Sequence, residues 1–313
     1  FSGERKFGVE AALYPGAFLG FRQLNDTSEV PVDSTGVMIK RSPKEEEEER
    51  DLAEEWEQNT PFKLFARYDF QDRNPTFFQT YYPSRAVNSY EANPDLINQQ
   101  LSHLEIGAKL RQKGKIVEKD TLLPMYIEAS AFFHTANRLI YYTPKLQPRQ
   151  ASEDEDIRWV GVDARFRVRF WKYFFFEPSV TLQQSFTNAA EGTGIDLYAR
   201  SVPNIYGKAA LYYDVRWRPW ANALRIGVEV YSNSPYAGQT IDPLSQEFFP
   251  TNYQVPFYPR VDVFASAQLR GVGIYARFIH VNEGLYRAGY FTIPFYPALE
   301  RSFTFGVNWT LFN

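Results

Sequence analysis

Between Arg158 and Phe170 the chain reads R-W-V-G-V-D-A-R-F-R-V-R-F. Every even position from Val160 onward is apolar: Val160, Val162, Ala164, Phe166, Val168 and Phe170. The odd positions between them hold Asp163, Arg165, Arg167 and Arg169. A β-strand sends successive side chains to opposite faces, so this segment carries hydrocarbon on one side and formal charge on the other. Two settings accept such a strand: the half-exposed edge of a soluble sheet, or the wall of a transmembrane β-barrel with lipid outside and water inside.

Recurrence decides between them. Phe303, Phe305, Val307, Trp309 and Leu311 alternate with Ser302, Thr304, Asn308 and Thr310. Val261–Leu269 and Val272–Phe278 join through Arg270-Gly271, with Asp262, Ser266 and Gln268 on the inner row. The same beat runs through Leu224–Val230, Ile205–Trp217, Phe174–Ser185, Met125–Phe133, Leu104–Arg111 and Phe62–Gln71. Phe7–Phe21 keeps an unbroken odd-position apolar row and is expected as one long strand, with Pro15 tolerated at its outer edge. A weaker strand is expected over Thr76–Tyr82. Short turns follow Arg169, Trp217 and Leu269, whereas long polar connections span 186–203, 235–257 and 284–299. Short turns face the periplasm and long loops the outside, which puts the C-terminus on the periplasmic side. The expected fold is all-β: a transmembrane antiparallel β-barrel of about twelve strands. It spans 1–313 as one domain, with an acidic extracellular insertion near 25–60.

Composition agrees. Mean hydropathy is −0.42 and no apolar run reaches the roughly 18 residues a membrane helix needs. Aromatic residues make up 17%, high for a soluble chain this polar. With Cys 0, disulfides and thiolate metal sites are excluded. A net charge of −3 gives no basic surface for nucleic acid. Phe1 is not an initiator Met, as expected for either a processed chain or a fragment.

The inward rows nominate the lumen residues: Asp163, Arg165, Arg167, Arg169, Glu177, Lys208, Asp214, Arg216, Arg225, Glu229, Asp262 and Arg277. Neighbouring strands can pair these charges into salt bridges filling a narrow bore, or their arrangement can set a transverse field across a small-solute channel. Arginine concentrates toward the short-turn side at Arg111, Arg169, Arg216, Arg225 and Arg270. Trp171, Tyr173, Trp217, Trp220 and Trp309 gather at strand ends and are expected to form an interfacial girdle. The acidic runs Lys44–Glu57 and Ser152–Asp156 read as solvated loop faces, with divalent-cation bridging to lipopolysaccharide or capture of a basic partner as the functional alternative. Leu52 and Trp56 form an i,i+4 pair able to dock on the rim.

Enzyme chemistry finds no support. The histidines are His103, His134 and His280, and none sits in a His-x-Ser arrangement. Ser130 and His134 share a face but lie about 13 Å apart on a strand, too far for proton transfer. Gly-x-Ser-x-Gly, His-Glu-x-x-His, phosphate-binding and calcium-loop motifs are all missing, so no catalytic residue, metal site or cofactor is assigned.

The closing stretch from Gly289 to Asn313 resembles the end of Bacteroidetes outer-membrane barrels, the putative-porin family among them. Tyr296, Pro297, Arg301, Phe305, Gly306, Trp309 and Phe312 carry the match. The sequence departs from that ending in closing on Asn313, one place after the aromatic. The resemblance covers about the last 25 residues. It implies insertion into the outer membrane of a Gram-negative cell, with lipid, lipopolysaccharide and other outer-membrane or periplasmic proteins as surroundings. Together these features lead to a porin-like channel for passive diffusion of small polar or charged solutes. A closed accessory subunit of a larger outer-membrane assembly is the alternative, and a lipid hydrolase the third reading. Phe166→Arg is expected to impair insertion and Arg167→Ser to be tolerated.

Overall fold

Segments that alternate with a period of two can bury neither face alone, so they pair edge to edge. The computed structural model describes residues 5–14, 17–24, 62–81, 92–111, 116–117, 120–121, 125–143, 147–215, 223–241, 248–269, 271–285, 291–293, 296–297 and 300–309. Among them are β1 (Arg5–Tyr14), β2 (Ala17–Leu24), β3 (Phe62–Arg73), β4 (Gln99–Arg111), β5 (Tyr126–Asn137) and β6 (Asp156–Arg169). The series continues with β7 (Phe174–Thr187), β8 (Ile205–Val215), β9 (Ala223–Asn233), β10 (Arg260–Leu269), β11 (Val272–Ile279) and β12 (Ser302–Trp309). They form one 12-stranded sheet in the order β2-β1-β3-β4, then consecutively to β12. Every neighbouring pair is antiparallel. Strand direction puts the ends joined by residues 170–173, and the ends of β10 and β11 nearest each other in sequence, on one rim; β3, β5, β7 and β9 end on the other.

Two expectations are corrected. Phe7–Phe21 is not one strand: β1 and β2 are separate antiparallel neighbours, pairing Ala11 with Phe21, Val9 with Gln23 and Tyr14 with Ala17. Thr76–Tyr82 is not a strand either, but carries helix α1 (Phe77–Tyr81). Thr76 and Gln79 form a reciprocal capping box: Gln79 N–H donates to Thr76 Oγ1 (3.3 Å) and Thr76 N–H to Gln79 Oε1 (2.8 Å). The two corrections cancel in the strand count. β2 and β3 run in the same direction, so Leu24 points toward one rim while Phe62 opens at the other. The acidic run 44–57, with Leu52 and Trp56, lies outside the described residues.

Much of the apolar face is exposed among the described residues. Ile106 (58%), Ile127 (52%), Val162 (47%) and Leu211 (47%) are open side chains in mid-sheet. A soluble protein would cover such a surface, which extends far beyond the few hundred Å² that monomers tolerate. Val215 departs from the expected outward row: it is buried where β8 meets β9.

Glycines on the opposite face solve a packing problem. Phe65 lies directly across from Gly107, Phe132 from Gly161, Phe264 from Gly227 and Tyr275 from Gly306. A Cβ on Gly161 would stand 2.4 Å from Phe132 Cζ and 2.6 Å from the Leu182 carbonyl. Each aromatic ring thus lies flat over a bare backbone, covering it while staying inside the sheet.

The long connections carry structure of their own. Helix α2 (Gly194–Ala199) inserts Ile195 and Ala199 among Ala136, Leu139, Ala151 and Ile157, the main buried apolar cluster. The Ala237 N–H donates to the Arg200 carbonyl (3.0 Å), tying the hairpin of Tyr236–Ile241 and Phe248–Val255 to this helix. Arg200 clasps Asp196 one turn back and, with the Gly192 N–H (2.8 Å), holds the Asp196 carboxyl below the usual carboxylate range.

Two predictions follow from this arrangement. Val162→Arg should cost about 2–4 kcal/mol of folding in lipid, because a charge is placed at mid-strand on the exposed face. Refolding titrations into vesicles measure this, and Arg165→Ser on the other face should change little. Because the Asp196 carboxyl is depressed in the folded state, its contribution is complete above about pH 4 and lost as pH falls through the lower folded-state value. Protection of the amides over 192–201, measured against their intrinsic exchange rates, should therefore fall below about pH 4, and in Asp196→Asn that extra acid sensitivity should vanish.

Candidate functional site

Positions of the polar parity converge on one face, and register decides which charges meet. Arg167 on β6 donates through Nε (3.0 Å) and Nη2 (3.1 Å) to the Glu177 carboxylate on β7. The same carboxylate accepts the hydroxyls of Tyr126 on β5 (2.8 Å) and Tyr212 on β8 (2.9 Å). One carboxylate therefore ties four strands. Arg165 reaches Glu128 (2.9 Å), which also approaches Lys109 on β4 (3.8 Å). Asp163 accepts the Thr181 hydroxyl (2.8 Å).

A second network spans β8 to β11. Arg277 contacts Glu229 (2.7 Å), Asp262 (2.8 Å) and the Tyr231 hydroxyl (3.0 Å). Lys208 joins at Glu229 (3.2 Å) and Arg260 at Asp262 (3.3 Å). Asp262 is fully buried, and its other stabilising contact is the His280 backbone N–H (3.0 Å). A buried carboxylate persists only when paired and hydrogen-bonded. Asp214 is paired with Arg225 at 2.6 Å, and the Arg225 guanidinium lies 4.9 Å from the Tyr212 ring.

Of the twelve lumen candidates, these networks bring together Arg165, Arg167, Glu177, Lys208, Glu229, Asp262 and Arg277, with the Asp214–Arg225 pair and Asp163 beside them. Arg169 stands at the short-turn end of β6, opposite Phe175. Arg216 and Arg270 lie outside the described residues, as do Trp217 and Trp220 of the expected girdle. Trp171 and Trp309 are exposed and Tyr173 partly exposed, all on the short-turn rim. Arg167 was expected to be replaceable; its grip on Glu177 makes Arg165 the more dispensable of the two. Sequence reasoning assigned no role to Tyr126, Tyr212 or Tyr231, though each has the inward parity of its strand.

It also missed a histidine pair. His103 and His134 face each other across β4 and β5, rings stacked at 4.1 Å with Nδ1 atoms 3.1 Å apart. Both border a cavity of about 420 Å³ that Asp69, Gln71 and Gln183 also line. Ser130 is buried beside Gly107 and Asp163, four positions from His134. Among the described residues, no group of three or more His, Asp or Glu gathers tightly enough to enclose a metal ion.

Comparison with known proteins follows the same line. The family model described as "Putative porin" matches residues 22–313. No curated protein matches the sequence. Among solved structures, the chain is similar to the copper transporter OprC, at 12% identity and TM-score 0.53, covering 80% of this chain and 37% of that one. BauA, the ferric preacinetobactin receptor from Acinetobacter baumannii, matches at 16% identity and TM-score 0.52, covering 79% and 34%. Fiu, the ferric-catecholate import receptor from Escherichia coli K12, matches at 12% and 0.51, covering 80% and 33%. This chain spans about a third of the length of these transporters, and at such identities the likeness concerns the fold.

Replacing Arg277 by Met should destabilise the protein by about 3 kcal/mol, because Asp262 keeps its burial and loses its nearest cation. Urea unfolding from detergent measures it. The double variant Arg277→Met with Asp262→Asn should recover part of the loss.

Proposed function

The chain belongs to the putative-porin family and to the bacterial outer membrane, and from that premise we propose that it closes into a barrel and passes small polar or charged solutes by passive diffusion. The carrying observation is the division of the sheet into an exposed apolar face and a face of paired charges continuous from β4 to β11. Outward, that geometry suits acyl chains and lipopolysaccharide. Inward, it offers solutes a wall of alternating sign. In a sheet of twelve, β2 and β12 run antiparallel, so a regular ladder can join them and complete a twelve-stranded barrel. Short turns then face the periplasm and the structured connections, including α2, face outside. The ending shared with Bacteroidetes barrels favours a source in that phylum.

A second reading has its own support. Phe175, fully buried on the polar face, stacks on Tyr212 at 5.5 Å, and Phe264 packs on the same cluster. An interior filled by such rings and by ion pairs suits a closed barrel serving as an accessory subunit of an outer-membrane assembly.

Conductance separates the two. The purified chain in planar bilayers should give stepwise ohmic currents, and Arg165→Glu should shift the reversal potential in a salt gradient toward cation preference. Absence of current above the bare bilayer would favour the accessory subunit.

A further inference from the structure

We propose that His103 and His134 form a binding point for a borderline divalent cation of the copper(II), nickel(II) or zinc(II) type on the bore face near the long-connection rim. The proposal deepens the channel reading and rests on it only for access from the bore. Imidazole nitrogens suit these metals, with N–metal distances of about 2.0–2.1 Å. Two such bonds spanning the 3.1 Å between the Nδ1 atoms enclose roughly 95–100° at the metal, between square and tetrahedral values. The rings are stacked with a tilt of 28°, so binding requires both imidazoles to turn about χ2 until their Nδ1 lone pairs meet at the ion.

The surroundings favour that tautomer. Glu105 Oε2 lies 3.6 Å from His103 Nε2, so the Nε2–H tautomer, with Nδ1 turned to His134 as the ligating atom, has a carboxylate near its proton. His134 then moves its remaining proton to Nε2 when the ion enters, with no net proton change. Asp69 is level with His103 in the β3–β4 register and borders the same cavity, where it pairs with Arg67 (2.7 Å) and is not counted as a ligand. Water fills the other positions. Two protein nitrogens hold an ion weakly enough to release it, as a conducting path requires.

The test uses the full chain, purified metal-free in detergent, titrated with copper(II) at neutral pH. Electron paramagnetic resonance should show one bound ion with hyperfine coupling to two nitrogens. His103→Gln and His134→Gln should each weaken binding at least tenfold and abolish the two-nitrogen pattern, with circular dichroism unchanged. His280→Asn, at the histidine held by Tyr258 (2.6 Å), should leave the pattern intact. Copper should also protect His103 and His134 of the wild-type chain from carbethoxylation, a readout independent of any variant's folding. No two-nitrogen signal at tenfold excess copper, a signal that survives either Gln substitution, or unprotected histidines would overturn the proposal. None of these readouts depends on conductance, which the metal-free protein reports separately.

Discussion

Hydrocarbon offers a peptide group no hydrogen-bond partner, and that single restriction organises everything else in this protein. Each unsatisfied N–H or C=O in a bilayer costs several kcal/mol, so a membrane-spanning chain must pair its backbone completely within helices or within a continuous sheet. Here the second solution is used: every strand of the sheet lying between the edge strands β2 and β12 is hydrogen-bonded on both sides. Once the backbone is paired, side chains are free to alternate, and the two faces become chemically independent. The apolar face needs no protein partner because lipid supplies one. The buried apolar cluster that a soluble protein would place under its sheet lies instead at the rim, around α2.

On the polar face the problem is reversed. Charges removed from bulk water lose more solvation than a single ion pair returns, unless further hydrogen bonds complete the shell. Glu177 and Asp262 show how this is met. Each collects donors from several strands, including tyrosine hydroxyls for Glu177 and a backbone N–H for Asp262. The networks therefore act as cross-braces between strands whose ladders alone would let the sheet flex. The rings of Phe65, Phe132, Phe264 and Tyr275, lying over glycines, cover the sheet without charge.

Strand phase was legible in the sequence because a period of two leaves one answer for each segment. That phase puts Arg165, Glu177, Lys208 and Arg277 on the polar face, where each is ion-paired. What parity cannot give is register. β1 and β2 pair odd residues with odd, such as Ala11 with Phe21, so the apolar row read straight through Phe7–Phe21 as though it were one strand. The same limitation hid the histidine pair. His103 and His134 each have inward parity, but only the β4–β5 offset sets them opposite one another. Thr76–Tyr82 differs for another reason: a capping box between Thr76 and Gln79 stabilises a helical turn locally where a weak strand was expected.

The same restriction that builds the sheet also argues for the proposed closure. β2 and β12 each have a single neighbour in the sheet, and β12 carries Phe303, Phe305 and Trp309 fully open. An unpaired strand edge is poorly tolerated in water and is not found facing lipid. Each of these strands has enough residues to satisfy the other, and their directions are opposed as an antiparallel ladder needs. Joining them removes both edges at once and turns the paired charges inward, away from acyl chains. The apolar and ionised faces then each meet the one medium they can tolerate, and it is this pairing of edges that would make the polar face a bore.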